Sequence, residues 1–372
     1  MSLLDFAITA VHGLILIVLL LTSFAYMTYA ERRIVARMQW RLGPNRVGPL
    51  GLLQPLADGA KLLFKEQLMP AEAKKFLYML APCISLVVAC CGFAVIPLFE
   101  KSMKVMGHEL AWIADLDVSV LYLLGVSSLG VYGIILGGWS SNNKYALLGA
   151  IRSSAQVISY ELALGMALVS PLLMAGGLSF AHIVDYQVGP VNGTGMLVFW
   201  QPVAFVLYCI AAVAEVNRAP FDLPEAEQEL GAGYHTEYSG MRFAMFFMAE
   251  YINMITVSAV AATVFLGGPG LFPGGSTISP FLSGPWWFVF KVMGFMFIFI
   301  WLRATFPRFR YDQLMRIGWQ VLLPLGLLNV IVTAVGVVMR WPNWAFGVAT
   351  VLMIVVLALL SAINRKPALA HH

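Results

Sequence analysis

The chain has 372 residues, 60% of them hydrophobic and only 11% charged, with a formal net charge of +4. A soluble domain carries about 25% charged residues, and the mean hydropathy of +0.81 points the same way. The composition excludes a soluble two-domain protein and predicts a single all-α, polytopic integral-membrane unit over 1–372.

Stretches of about 20 mostly apolar residues mark membrane helices. Nine are predicted, near 11–30, 77–98, 118–138, 154–175, 198–217, 241–266, 286–303, 320–339 and 344–363. The first is no cleaved signal, because Glu31, Arg32 and Arg33 follow it directly and no small-residue cleavage site is present.

The loop at 31–75 is basic. Arg33, Arg37 and Arg41 stand one turn apart on a continuation of the first helix, and the Gly-Pro-rich run 43–49 then breaks it. Residues 52–66 resume a helical pattern, with Leu56, Gly59 and Leu63 on one side and Asp58, Lys61 and Lys65 on the other. Such a helix lies in the membrane interface, and a basic surface for lipid headgroups is the alternative use. Nineteen of the 23 lysines and arginines fall on the side of this loop. The positive-inside rule then predicts an outside N-terminus and a cytoplasmic C-terminus. The opposite loops, 99–117, 176–197 and 267–285, read as turns that close the bundle.

Within the membrane, polar residues are the exceptions that carry information. Gln156, Ser159, Tyr160 and Glu161 cluster on the fourth helix, and Gly165 leaves space one turn beyond the carboxyl. Glu215 ends the fifth helix with Arg218 at i+3, Glu250 lies in the sixth with Asn253 at i+3, and Lys291 stands in the seventh. Buried carboxyls are poised for proton exchange, though a helix–helix hydrogen bond is the structural alternative. Lys291 near a helix end can also snorkel to the interface. Gly133 and Gly137 form a GxxxG packing notch.

The most unusual stretch is 214–251, with seven carboxylates (Glu215, Asp222, Glu225, Glu227, Glu229, Glu237 and Glu250) against Arg218 and Arg242. Ionised groups beside lipid lose hydration, so the 215–240 loop suits proton or ion handling better than packing. A solvated acidic loop is the alternative for Glu225, Glu227 and Glu229. Cys83, Cys90, Cys91 and Cys209 show no CxxC spacing, and no phosphate-binding glycine motif occurs. A redox cofactor or metal held by this chain is therefore not expected.

The run Glu215–Leu230 resembles the signature of the H subunit of proton-translocating NADH–quinone oxidoreductase, respiratory complex I. Glu-Arg-Arg at 31–33, the stretch 41–62, Ser-Asn-Asn-Lys-Tyr at 141–145, Ser-Tyr-Glu-Leu at 159–162, Phe-Met-Ala-Glu-Tyr at 247–251 and 303–315 match in order. The resemblance implies a subunit that forms much of the quinone chamber and begins a line of carboxylates toward antiporter-like subunits. FMN and iron–sulfur clusters would belong to partner subunits only, with quinone (ubiquinone or menaquinone) as substrate and lipid as a further contact. It implies relay roles for Glu161, Glu215, Glu250, Asp222, Glu225 and Glu227, and places Arg32, Arg41, Asp58, Lys61, Arg218 and Arg303 around the quinone path. The bacterial plasma membrane is the implied location. The corresponding subunit of a membrane-bound hydrogenase or formate hydrogenlyase is a second reading, and a stand-alone proton-coupled transporter a third.

Overall fold

The computed structural model describes residues 3–98, 104–105, 108–109, 114, 116–189, 193–222, 233–270 and 284–363. Apart from a two-residue antiparallel pairing of Lys104–Val105 with His108–Glu109, the described chain is helical. Among the described residues, seven helices are long and apolar enough to cross a membrane, and two shorter apolar helices accompany them. Each of the nine predicted stretches meets one of these helical elements.

The first helix, α1 (Leu3–Met38), is about 54 Å long at 1.5 Å per residue. That exceeds a hydrocarbon layer of about 30 Å, so its last turns carry Glu31, Arg32 and Arg33. Trp40 at φ 56 ends the run. The following loop folds back: the Tyr29 hydroxyl donates to the Leu50 carbonyl at 2.6 Å, and Arg33 donates to the same oxygen at 3.0 Å. Gly51, at φ +82, sits where an added Cβ would lie 2.3 Å from the Pro44 carbonyl oxygen, so the turn requires glycine. The amphipathic pattern then becomes α2 (Gln54–Phe64), with Leu56 and Phe64 exposed.

The bundle packs small residues on small ones, as expected where lipid removes the hydrophobic drive between helices. α3 (Lys75–Gly92) and α4 (Ser119–Ser140) meet at the GxxxG notch. A Cβ on Gly133 would fall 2.0 Å from Ser85 Oγ, and one on Gly137 would fall 3.2 Å from the Phe246 ring. α5 (Lys144–Ala175) starts ten residues before its apolar stretch. The Asn143 side chain accepts from the Tyr145 amide and caps a polar first segment that hydropathy does not register.

The loop expected as turns over 176–197 contains α6 (Phe180–Val188), and α7 (Leu197–Trp200) opens the stretch expected as the fifth helix. Buried Gln187 explains why this segment is ordered: its amide donates to the Thr263 and Val264 carbonyls at 3.1 and 3.0 Å. α8 (Pro202–Glu215) is only 14 residues long, because Pro202 breaks the ladder from α7. α9 (Gly240–Leu266) runs through the core, and α10 (Pro285–Thr305) flanks it. α11 (Tyr311–Arg316) leads through a π-helical turn at Ile317–Leu322 into α12 (Leu323–Val338) and α13 (Asn343–Ile363). Lys291 on α10 is buried rather than snorkelling, and it meets no carboxylate among the described residues. Its Nζ donates to the Leu266, Gly268 and Gly270 carbonyls, closing the end of α9, where a cation complements the helix dipole.

The segment leading into α9 is anchored by aromatic rings. Tyr238 stacks on Tyr78 at 4.2 Å, and the Tyr78 hydroxyl donates to the Glu237 carbonyl at 2.6 Å. His235 is buried against Tyr234, Phe243, Phe246 and Phe247, and its Nε2 has no hydrogen-bond partner. Burial pushes its pKa from 6.5 down to about 3. The unfolded chain therefore binds the extra proton first. The stability His235 contributes is full above pH 6.5 and is lost as the pH falls toward 3. Between pH 6.5 and about 4.5, the melting temperature of the purified complex is expected to fall more steeply in wild type than in His235→Phe. Parallel slopes would contradict this.

Candidate functional site

Among the described residues, two polar centres stand out in the bundle. The larger is a cavity of about 810 Å³ between α1, α2, α9 and α10, whose wall includes Glu31, Arg32, Asp58, Lys61, Tyr251 and Arg303. Phe24, Phe243 and Phe247 supply apolar wall. Its size suits a drug-sized or larger organic molecule, for which sites of roughly 300–1,000 Å³ are usual.

Glu31 is the hub of this wall. It is buried at 6% exposure, yet it stands on α1 away from Arg33 and Arg37, the helix ending at Met38 before the expected third arginine, Arg41. One carboxylate oxygen receives Arg303, and the other receives the Tyr251 hydroxyl at 2.5 Å and Arg218 at 3.4 Å. The Arg218 guanidinium also lies over the Tyr251 ring, 4.2 Å from its centroid. Burial alone would lower the pKa of Arg218, but Tyr251, Glu31 and Glu250 outweigh it and hold the guanidinium charged. Helical spacing suggested Glu215 as the neighbour of Arg218. Instead, Asn217 at φ 54 turns the chain after α8 and points Arg218 to Glu31.

Closer to α2, Arg32 pairs with Asp58 at 2.5 Å, and Gln54 donates to the other Asp58 oxygen at 3.0 Å. Asp222 is buried and takes Arg308 at 3.3 Å. Arg41 does not reach the cavity wall. It bonds to the side chain of Gln39, which does. Glu225 and Glu227 lie outside the described residues.

The second centre is small, about 90 Å³, and lies between α3, α4, α5, α8 and α9. Glu215 and Glu250 line it, with Ser127, Asn217 and Asn253. At about 30 Å³ per molecule it has room for roughly three waters. Glu161 on α5 accepts from Ser128 on α4, and Glu161 and Glu215 are close enough to interact electrostatically. Space beside Gly165 is open, with nothing within 4 Å of an added Cβ. The turn bearing Glu215 is fixed by Gln156, whose amide donates to the Ala214 and Phe221 carbonyls at 2.9 and 2.8 Å. Tyr160 likewise donates to the Leu314 carbonyl at 2.9 Å. Gln156 and Tyr160 therefore hold the scaffold beside the glutamates.

Sequence reasoning singled out neither Glu31 nor Tyr251 as a site residue, and passed over Ser127 and Ser128. Glu31 carried a usable signal, since it is an acid at an apolar boundary that falls off the arginine face. The serines carried none beyond their being adjacent in an apolar helix.

Fold and centres together define a multi-pass membrane protein with a large cavity bordered by a buried ion network and a second, small cavity lined by carboxylates. The family model described as NADH dehydrogenase matches residues 11–334. The chain is 54% identical over 335 residues to the NADH-quinone oxidoreductase H subunit of Thermomicrobium roseum, covering 88% of this chain and 95% of the relative. It is 51% identical over 335 residues to NADH-quinone oxidoreductase subunit 8 of Thermus thermophilus, covering 90% and 88%. With the H subunit of the Deinococcus radiodurans oxidoreductase it shares 47% identity over 358 residues, covering 95% and 89%. The chain belongs to the family of NADH-quinone oxidoreductase H subunits.

Proposed function

We propose that this subunit admits and holds quinone in the 810 Å³ cavity and passes the charge change of quinone reduction into the membrane through Glu161, Glu215 and Glu250. The observation that carries the reading is the wall itself: apolar rings suited to a prenyl tail stand beside Glu31, Arg303 and Tyr251, suited to a polar headgroup, with Arg218 bonded to Glu31 behind them. Two guanidinium groups face the Glu31 carboxylate, and Arg218 also interacts with Glu250. Fixed positive charge in a water-poor site stabilises negative charge as it develops on a bound molecule. Arg32, Asp58 and Lys61 frame the α2 side of the cavity, and Arg41 lies outside it beyond Gln39. Asp222, with Glu225 and Glu227, would sense charge at the headgroup and pass it toward Glu215. Electrons would arrive from FMN and iron–sulfur clusters in partner subunits.

On this reading the chain is one integral-membrane unit of a bacterial plasma membrane. Its N-terminus is outside, its C-terminus and the 31–75 and 215–240 loops are cytoplasmic, and its contacts are the hydrophilic arm, small membrane subunits and lipid.

Ala244 tests the assignment, because it is buried on α9 and faces the cavity. Ala244→Trp would fill part of that space. The apparent KM for a long-tailed quinone is expected to rise about tenfold, equivalent to about 1.4 kcal/mol of binding, with reduction of ferricyanide by NADH unchanged. Unaltered quinone kinetics in an assembled Ala244→Trp complex would remove the cavity from the quinone path.

A further inference from the structure

We infer that an apolar cavity between α8, α9 and α10 binds the end of a phospholipid acyl chain, packed against Tyr208, which partitions it from the carboxylate-lined cavity. The inference goes beyond the quinone and relay reading and does not depend on it. The cavity holds about 130 Å³, and its lining shares no residue with the 810 Å³ cavity. Its floor is buried. Tyr208, Ala212 and Ala261 are at most 3% exposed, whereas Ile298 at the rim is 45% exposed.

The lining chemistry excludes a polar occupant. Among the described residues that line the cavity, none is charged, and only Tyr208, Cys209 and Ser258 carry a polar side-chain group. The Tyr208 hydroxyl donates to the Val257 carbonyl at 2.8 Å, and the Ser258 hydroxyl to the Met254 carbonyl at 2.7 Å. Cys209 is a free thiol, which packs as a small hydrophobe with a weak donor. A buried water needs about two to four polar partners, and this wall has already committed both hydroxyl hydrogens to the backbone. A dry apolar cavity of about 150 Å³ accepts benzene, so this one is large enough for a hydrocarbon segment of a few carbons.

Depth selects the occupant. Phe295 on the cavity wall stands at the midpoint of α10 (Pro285–Thr305), a helix long and apolar enough to cross a membrane. Phe297 and Trp301, beside Ile298, are exposed as well. What lies outside at mid-span is acyl chain, not headgroup. Lipid removes the hydrophobic drive, so the gain is dispersion: a void leaves its lining atoms without partners, and a chain end restores those contacts. Tyr208 and Val257 line both this cavity and the one holding Glu215 and Glu250. The Tyr208 ring is therefore the wall between hydrocarbon and carboxylates, pinned by its bond to Val257. A chain packed on it keeps that side dry and closes a route for water from the glutamates to lipid.

The test uses the intact complex in vesicles of phosphatidylcholine bearing a photoactivatable diazirine at the end of one acyl chain. After irradiation, labelled residues are mapped by mass spectrometry. Cys209 and Phe295 are expected to carry several times the label found on Leu327, which is as exposed on α12 as Ile298 is on α10. Ala261→Leu fills the floor, and Cys209→Leu adds bulk at the rim. Each should bring the label on Phe295 down to the Leu327 level while leaving Leu327 itself unchanged. Labelling of Cys209 and Phe295 no higher than that of Leu327, or labelling of Phe295 that persists in both filled variants, would overturn the site. Labelling there by a photoactivatable prenyl quinone but not by the phospholipid would give the cavity to a quinone tail and overturn the lipid assignment.

Discussion

Glu215→Gln is expected to assemble at wild-type levels and lose about a hundredfold of its NADH-driven quinone reduction, with proton pumping lost in parallel. Glutamine keeps the shape of the side chain and can still form hydrogen bonds, but it cannot ionise. Proton handling by a positioned side chain is worth about 10²–10⁴ in rate, so the lower end suits one member of a line. Glu215 is well placed for that role. It ends α8 at the wall of the small cavity, and its Oε2 is buried without a hydrogen-bond partner. Glu161→Gln should act in the same direction. Reduction of ferricyanide by NADH, which bypasses the cavity, should survive in both variants. Wild-type turnover and pumping in both would leave these carboxyls as helix–helix contacts only.

The second large effect concerns Glu31. Its carboxylate is the shared partner of Arg218, whose side chain is 4% exposed, and of Arg303, which is 34% exposed. Glu31→Gln leaves both cations facing a neutral amide. Removing one partner of a buried pair costs about 3–5 kcal/mol, because the remaining charge has already left water. A markedly lower melting temperature, or loss of the subunit from the assembled complex, is the expected result. Asp58→Asn provides the contrast. The Arg32–Asp58 pair is 56% and 33% exposed, and an exposed pair is worth about 0–1 kcal/mol. Equal melting temperatures for Glu31→Gln and Asp58→Asn would show that Glu31 is not the electrostatic hub of the wall.

The two predictions probe different layers. Loss of Glu31 should act through stability and then through quinone binding, whereas loss of Glu215 should spare the fold and act on turnover. Separating them requires measuring assembly and rate on the same preparation. A variant that assembles but does not turn over belongs to the relay, and one that fails to assemble belongs to the scaffold.

Local chemistry was sufficient for the membrane-spanning stretches. Runs of about 20 apolar residues determine membrane helices because an unpaired backbone group in lipid is too costly for any other open structure. The alternation of Leu56 and Leu63 with Asp58 and Lys61 determined α2, and the glycines and prolines of 43–49 determined the break before it. The acids of 214–251 declared themselves by being expensive there.

Which charge meets which was decided only by tertiary structure. Glu31 pairs with Arg218 and Arg303 across 187 and 272 residues, and no periodicity within one helix reaches that far. Spacing of three residues put Arg218 beside Glu215, but a left-handed Asn217 turns the chain and Arg218 pairs with Glu31. The helix inside an expected turn region, α6, is held by Gln187 bonding to the end of α9, some 76 residues away. Ser128 is unremarkable in an apolar helix until Gly133 and Gly138 set how closely α4 approaches α3 and α5, where it meets Glu161. Helix existence depends on the solvent, which the sequence reports residue by residue. Helix partnership depends on the fit of small side chains across contacts, and that information is distributed over the whole bundle.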